Sequence, residues 1–225
     1  MILFVIEVLI FAVWYDYACI RGGDRKKMAK EALQPVNALA IVMIATGMCF
    51  FVNFQLPIVT TVLPDSIVTE FETMMDNAGY GVELIPTLFS LLFAPIAEEL
   101  MFRGIMFFYL QKIFVDKLGK RKTFWLANLI QATLFGVYHL NFIQGGYAFV
   151  VGLVLGYLMF HFGSIVAPIM AHMIHNILST FVWQAVAASM PDSNAAYVIG
   201  AGLSLCVVVL GMMLCVLNSD KIGKE

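Results

Sequence analysis

The chain has 225 residues, of which 61% are hydrophobic and 12% are charged, and its mean hydropathy is +0.90. Soluble domains carry about 25% charged residues, so this composition excludes an ordinary soluble domain and indicates an integral membrane protein. With a net charge of −2 and no basic surface for phosphates, no nucleic acid is expected as a partner.

Apolar segments separated by polar or turn-forming stretches predict an all-α, polytopic membrane bundle of about seven transmembrane helices. The first segment lacks the positive start and cleavage site of a secretory signal, so we interpret it as a retained helix. An acidic loop without Lys or Arg, residues 64–81, follows the second segment. The predicted spans are 1–20, 36–63, 84–115, 123–140, 147–162, 169–187 and 195–217.

Basic residues concentrate in the predicted loops 21–35 and 116–122 and in the C-terminal tail. Because cytoplasmic loops carry an excess of Lys and Arg, these three regions are predicted to be cytoplasmic and the N-terminus external. The small, compact chain suggests a bacterial cell membrane. Within one integral membrane domain we divide the chain into N-terminal helices (1–83), a central helical core (84–182) and a C-terminal helix with a short tail (183–225).

Two structural expectations concern small residues. Gly152 and Gly156 are four apart in the fifth segment, a pattern that suits close packing of membrane helices. The four cysteines lie in or beside apolar segments and show no metal-ligand spacing, so they are expected to be small core residues rather than ligands or disulfides. They are Cys19, Cys49, Cys206 and Cys215.

The third segment contains two adjacent carboxylates and an arginine, Glu98, Glu99 and Arg103. Ionisable residues inside a membrane segment usually mark a functional site, although a buried pair that fixes helix packing is the alternative. Glu99 and Arg103 are four apart with the acid first, the favourable order for a helical ion pair. Glu98 is rotated by about 100° from Glu99, so Arg103 need not neutralise it.

His139 lies near the far end of the fourth segment. At 1.5 Å per helical residue, Glu98 lies about 21 Å above the cytoplasmic loop and His139 about 24 Å above it. The two segments are consecutive and antiparallel, so these matched depths predict that the two side chains can meet. Hydrogen bonding between helices is the alternative role for a membrane histidine.

The sixth segment carries His172 and Asn176 on one helical face, with His175 slightly rotated from them. A carboxylate with histidines and an amide fits water activation followed by oxyanion stabilisation, as in amide hydrolysis. Glu98, His139 and His172 equally provide ligands for a divalent metal such as zinc. The sequence contains no HExxH element, so spacing does not decide between these alternatives.

Three motifs in order resemble the CAAX-protease and bacteriocin-processing family, also called Abi, which includes the Ras-converting CAAX endopeptidases. They are Glu-Glu-x-x-x-Arg (98–103), Phe-x-x-x-His (135–139) and His-x-x-x-Asn (172–176). The approach to the third motif, residues 162–172, is also similar to the family, and the resemblance covers about residues 84–180.

The resemblance implies an intramembrane endopeptidase whose Glu98 and His139 activate water. His172 and Asn176 would stabilise the oxyanion, and Glu99 with Arg103 would shape the site, while His175 is outside the motif and is expected to be a packing residue. The expected partners are the lipid bilayer and a membrane-associated peptide or protein, either CAAX-like or a small precursor. A non-proteolytic bacteriocin-immunity or envelope-regulatory scaffold is the alternative, and metal dependence and oligomeric state stay open.

Overall fold

The computed structural model describes residues 2–17, 25–79 and 81–222, which form helices and contain no strand. The α-helices of this described part are α1 (Ile2–Tyr15), α2 (Arg25–Ala32), α3 (Pro35–Val62), α4 (Asp65–Ala78), α5 (Leu84–Leu88), α6 (Ala94–Glu99), α7 (Phe107–Tyr138), α8 (Phe142–Phe162), α9 (Val166–Ile177), α10 (Trp183–Ser189) and α11 (Asn194–Ile222). Wider π-helical turns join some of them, at Phe89–Phe93, Leu100–Met106 and Leu178–Val182.

Among the described residues, five helices are long and apolar enough to cross a membrane. They are Pro35–Val62, Leu84–Tyr138, Phe142–Phe162, Val166–Ser189 and Asn194–Asn218. The predicted all-α, polytopic membrane fold is therefore confirmed.

The number of candidate spans differs from the predicted seven at two places. The helix Leu84–Tyr138 has 55 residues and contains the third and fourth predicted spans, which are separated where Gly119 has the non-helical angles φ 72° and ψ 164°. Helix α1 has 14 residues, so it is about 21 Å long and shorter than the hydrocarbon core of about 30 Å. The first predicted span is therefore not among these five.

Two stretches that we predicted to be loops are helical in the structure. The acidic loop 64–81 contains α4, which begins after Pro64 and ends at Gly79, where a left-handed conformation stops the helix. The stretch 141–146, between the predicted spans 123–140 and 147–162, contains the first part of α8, because the Asn141 Oδ1 atom accepts hydrogen bonds from the amides of Ile143 and Gln144. Such side-chain capping satisfies amides at a helix start and moves the start toward the cap.

One compact unit, called here the first unit, contains the described residues of 1–32 and Leu92–Ile169. Inside it, the chain folds back at Gly119, so that residues before and after the kink contact each other. The Phe102 and Phe135 rings meet edge to face at 5.1 Å, and the Phe107 and Phe124 rings do so at 6.2 Å. The predicted antiparallel arrangement of the third and fourth segments is therefore confirmed.

Helix α8 packs against the second half of α7 through glycines, as the Gly152–Gly156 spacing predicted. A Cβ atom at Gly156 would overlap the Asn128 Oδ1 atom and approach the Gln131 Nε2 atom to 2.7 Å. A Cβ atom at Gly152 would approach the Arg103 Nη2 atom to 3.1 Å. Glycine therefore makes room here for polar side chains of the neighbouring helix.

The second unit contains Leu33–Leu91 and the described residues from Met170 to 222. Its centre is the pair α3 and α11, where a Cβ atom at Gly47 would come within 2.7 Å of the Ser204 carbonyl oxygen. Cys49 and Cys215 are buried here, as expected, whereas Cys206 is exposed on α11 and is not a core residue. Cys19 lies outside the described residues.

Candidate active site

The two adjacent carboxylates of the first motif have different surroundings. Glu99 and Arg103 are fully buried, and the Arg103 Nη1 atom donates to the Glu99 Oε1 atom at 2.9 Å. Glu98, one residue earlier at the end of α6, is half-buried. The Glu99–Arg103 ion pair predicted from the spacing is therefore confirmed.

The aromatic ring of Phe135 covers the buried arginine. The guanidinium carbon of Arg103 lies 4.1 Å from the centre of the Phe135 ring, a distance at which the face of an aromatic ring attracts a cation. The Phe102 ring packs edge to face on the same phenylalanine. Phe135, the first residue of the Phe-x-x-x-His motif, therefore stabilises the charge of the Glu-Glu-x-x-x-Arg motif.

The backbone of Phe135 also orients the motif histidine. The His139 Nδ1 atom lies 2.8 Å from the Phe135 carbonyl oxygen. A carbonyl only accepts hydrogen bonds, so Nδ1 carries the proton, and the Nε2 atom of the neutral ring carries the lone pair. Such a contact gives the imidazole the tautomer in which Nε2 is the basic nitrogen.

Two buried amides lie one and two turns before Phe135 on α7. The Gln131 Nε2 atom donates to the Asn128 Oδ1 atom at 2.7 Å and to the Gly152 carbonyl at 2.9 Å. The Asn128 Nδ2 atom donates to the Leu153 carbonyl at 3.0 Å. These bonds fix α7 against α8 in the region where Gly152 approaches Arg103.

The third motif lies on α9, in the second unit. His172 and His175 are buried, and the Nδ1 atom of His175 has no hydrogen-bond partner among the described residues. The half-buried Asn176 donates through its Nδ2 atom to the Ser90 carbonyl at 2.8 Å. Asn176 is therefore fixed by a backbone carbonyl that lies 86 positions earlier in the chain.

Hydrogen bonds that we did not predict from the sequence join three residues near the end of this helix. The Ser179 hydroxyl lies 3.2 Å from the Cys49 Sγ atom and accepts a hydrogen bond from the Asn53 Nδ2 atom at 3.0 Å. Asn53 also donates to the Cys49 carbonyl at 2.9 Å. The available signal was the presence of Asn53 and Ser179 in otherwise apolar segments, where polar side chains usually find interhelical partners.

The predicted site residues divide between the two units. Glu98, Glu99, Arg103 and His139 belong to the first unit, and His172 and Asn176 belong to the second. Within the described residues, no group of three or more His, Cys, Asp or Glu side chains is arranged to hold a metal. The suggestion that Glu98, His139 and His172 bind a metal stays a prediction.

Comparison with known families identifies the central part of the chain. Residues 81–178 match the family model described as Type II CAAX prenyl endopeptidase Rce1-like, and all three motifs lie inside this segment. No curated protein and no solved structure gave a match. This segment is therefore similar to the Rce1-like family of CAAX prenyl endopeptidases, which confirms the predicted resemblance.

Proposed function

We propose that this protein is an intramembrane endopeptidase that cleaves a membrane-associated substrate with water activated by Glu98 and His139. The observation that carries the proposal is the arrangement of the first motif. Arg103 pairs with the buried Glu99, Phe135 covers Arg103, and the same phenylalanine orients His139 with its Nε2 lone pair as the base. Glu98 is therefore the motif carboxylate suited to proton transfer.

The proposed reaction uses these residues in sequence. Glu98, assisted by His139, accepts a proton from water, and the water oxygen forms a bond to the carbon of the scissile carbonyl. His172 and Asn176 donate hydrogen bonds to the oxyanion that develops on the carbonyl oxygen. When the tetrahedral intermediate collapses, the C–N bond breaks and the proton passes to the leaving amine, which restores the carboxylate.

The proposed substrate is a CAAX-like C-terminal peptide or a small precursor peptide at the membrane. The apolar composition and the candidate membrane helices support a membrane-associated substrate. The family description supports the CAAX-like class in particular.

The experiment is cleavage of a quenched CAAX-like peptide library by detergent-purified protein, with wild type beside Glu98→Gln. The substitution preserves shape but removes the base, so we expect activity to fall by about 10²- to 10⁴-fold with unchanged membrane insertion and melting temperature. Glu72→Gln provides a matched control, because Glu72 is exposed on α4 and should retain full activity. Full activity of Glu98→Gln would contradict the proposal.

The alternative is a non-proteolytic immunity or envelope-regulatory scaffold, and α4 is the observation that favours it. Its four acidic residues, Asp65, Glu70, Glu72 and Asp76, are all exposed, and the helix contains no Lys or Arg. A scaffold that binds through this face would lose its cellular phenotype when these acids become neutral amides. It would retain the phenotype in Glu98→Gln, so the two variants separate the functions.

Metal dependence and the location of the C-terminus are tested separately. Metal analysis of the purified protein measures whether a metal such as zinc is bound, and the cleavage assay with and without that metal measures whether it assists Glu98. A C-terminal reporter fusion in a bacterial host tests the proposed cytoplasmic C-terminus, which is supported by the basic residues of loops 21–35 and 116–122.

A further inference from the structure

The carbonyl that binds Asn176 lies in an unusual part of its helix. Ser90 belongs to the π-helical segment Phe89–Phe93, between α5 and α6. In π geometry each carbonyl accepts from the amide five residues later, instead of four. Single π turns of this kind occur frequently at functional sites, so the partner of each carbonyl in this segment is informative.

The amide five residues after Ser90 belongs to Pro95, the residue at the start of α6. Proline has no backbone N–H and cannot donate a hydrogen bond. The Ser90 carbonyl therefore lacks a π-type helical donor because residue 95 is a proline. The Asn176 Nδ2 atom supplies a donor at 2.8 Å.

We propose that Pro95 and the Ser90 carbonyl together position Asn176. Proline removes the donor that π geometry would offer to this carbonyl, and the carbonyl accepts from one N–H of the Asn176 amide. Since the amide carries two N–H groups, this bond orients the side chain and leaves its second N–H for another acceptor. The role of this orientation in catalysis rests on the proposed function, whereas the Asn176–Ser90 hydrogen bond is observed independently of it.

A simpler role for Pro95 is to start α6, because proline is favoured in the first turn of a helix. The two roles differ in their dependence on Asn176. A helix-starting proline contributes the same stability whether or not residue 176 is an amide. A positioning proline has an effect that changes when the amide is removed, because the same carbonyl has then lost its donor.

The test is a double-mutant cycle of Pro95→Ala and Asn176→Ala, with melting temperature measured in detergent. Pro95→Ala introduces an N–H that can donate to the Ser90 carbonyl. In the Asn176→Ala background it replaces a lost donor, whereas in wild type it competes with an existing one. We therefore expect Pro95→Ala to raise the melting temperature more in the Asn176→Ala background than in wild type.

Pro57→Ala is the matched control, since Pro57 also lies inside a helix, α3, and is not the residue five positions after the carbonyl that accepts from Asn176. Its effect on melting temperature should be the same in both backgrounds. Equal effects of Pro95→Ala in both backgrounds would overturn the positioning role. The melting temperatures test the link between Pro95 and the Asn176–Ser90 contact even if the wild-type protein cleaves no peptide.

Kinetics test the catalytic consequence. Displacement of an oriented donor lowers the rate by up to about a hundredfold, so we expect Pro95→Ala to lower kcat and to leave KM unchanged. The same substitution should have no further effect on kcat in Asn176→Ala. An unchanged kcat in Pro95→Ala, in a protein that loses activity in Glu98→Gln, would overturn the catalytic part while leaving the proposed function intact.

Discussion

The polar residues of the two units are fixed by different kinds of interaction. In the first unit, a fully buried ion pair lies under an aromatic ring, beside two buried amides and two glycines that allow close helix packing. In the second unit, Asn176 and Ser179 are fixed by neutral hydrogen bonds to Ser90, Asn53 and Cys49. Removing one partner of a buried charge pair costs much more than removing a neutral membrane hydrogen bond. The first unit should therefore be far more sensitive to substitution.

The largest expected effect is that of Arg103→Met. It leaves the buried Glu99 without its cation, and breaking a buried pair in this way costs about 3–5 kcal/mol. The double variant Glu99→Gln/Arg103→Met removes both charges and should recover part of this loss. Unfolding in detergent measures both variants, and Lys112→Met, a change at an exposed position, is the control. A double variant no more stable than Arg103→Met would contradict this account.

The next prediction separates the two nitrogens of His139. In His139→Asn the amide N–H takes the place of Nδ1–H and can still donate to the Phe135 carbonyl, but the basic Nε2 atom is lost. We expect cleavage to fall by about 10²- to 10⁴-fold. His139→Ala loses the hydrogen bond as well and should be less stable than His139→Asn by about 0.5–1.5 kcal/mol.

Cleavage assays and melting temperatures of these two variants distinguish catalysis from packing. If His139 only joined helices, His139→Asn would retain activity in proportion to its stability. Equal melting temperatures for the two variants would show that the Phe135 bond does not stabilise the fold.

Much of the first unit was predictable because its contacts follow from local spacing. The Glu99–Arg103 pair is an i, i+4 contact, and the Gly152–Gly156 face follows from small residues one turn apart. The segments around Gly119 were predicted as consecutive antiparallel helices, which the Phe102–Phe135 contact confirms. In each case the information lies within a few turns of one helix or in one connection.

The partners of the second unit were not predictable in this way. Asn176 binds a carbonyl 86 positions away, and Ser179 binds Asn53 at a separation of 126. No periodicity selects such partners, and the π-helical turn at Ser90 has no hydrophobic pattern of its own. The helical nature of α4 was missed because its acidic residues suggested a loop, although its apolar residues, including the buried Phe71, follow a helical face. The roles of the six predicted site residues stay predictions.

A third prediction tests the packing of the first unit by comparing alanine substitutions at two glycines of helix α8. Gly156→Ala places a Cβ atom against Asn128 Oδ1, and overpacking of this kind costs about 1–3 kcal/mol. Gly146→Ala, on the same helix α8, has nothing within 4 Å of the added atom. Because alanine is a better helix former than glycine by about 0.5–1 kcal/mol, Gly146→Ala should be neutral or stabilising. Equal melting temperatures would contradict the close packing.

The smallest expected effect is that of Ser179→Ala in the second unit. The Asn53 Nδ2 atom retains its bond to the Cys49 carbonyl at 2.9 Å, so only the contacts of the hydroxyl are lost. Neutral hydrogen bonds between membrane helices contribute about 0.6 kcal/mol on average, and we expect a destabilisation of that size. Ser189→Ala, an exposed serine at the end of α10, is the control. Ser179 lies one turn after Asn176, so kcat should fall only slightly. A loss of stability as large as that of Arg103→Met would refute the distinction between a charge-stabilised first unit and a second unit fixed by neutral bonds.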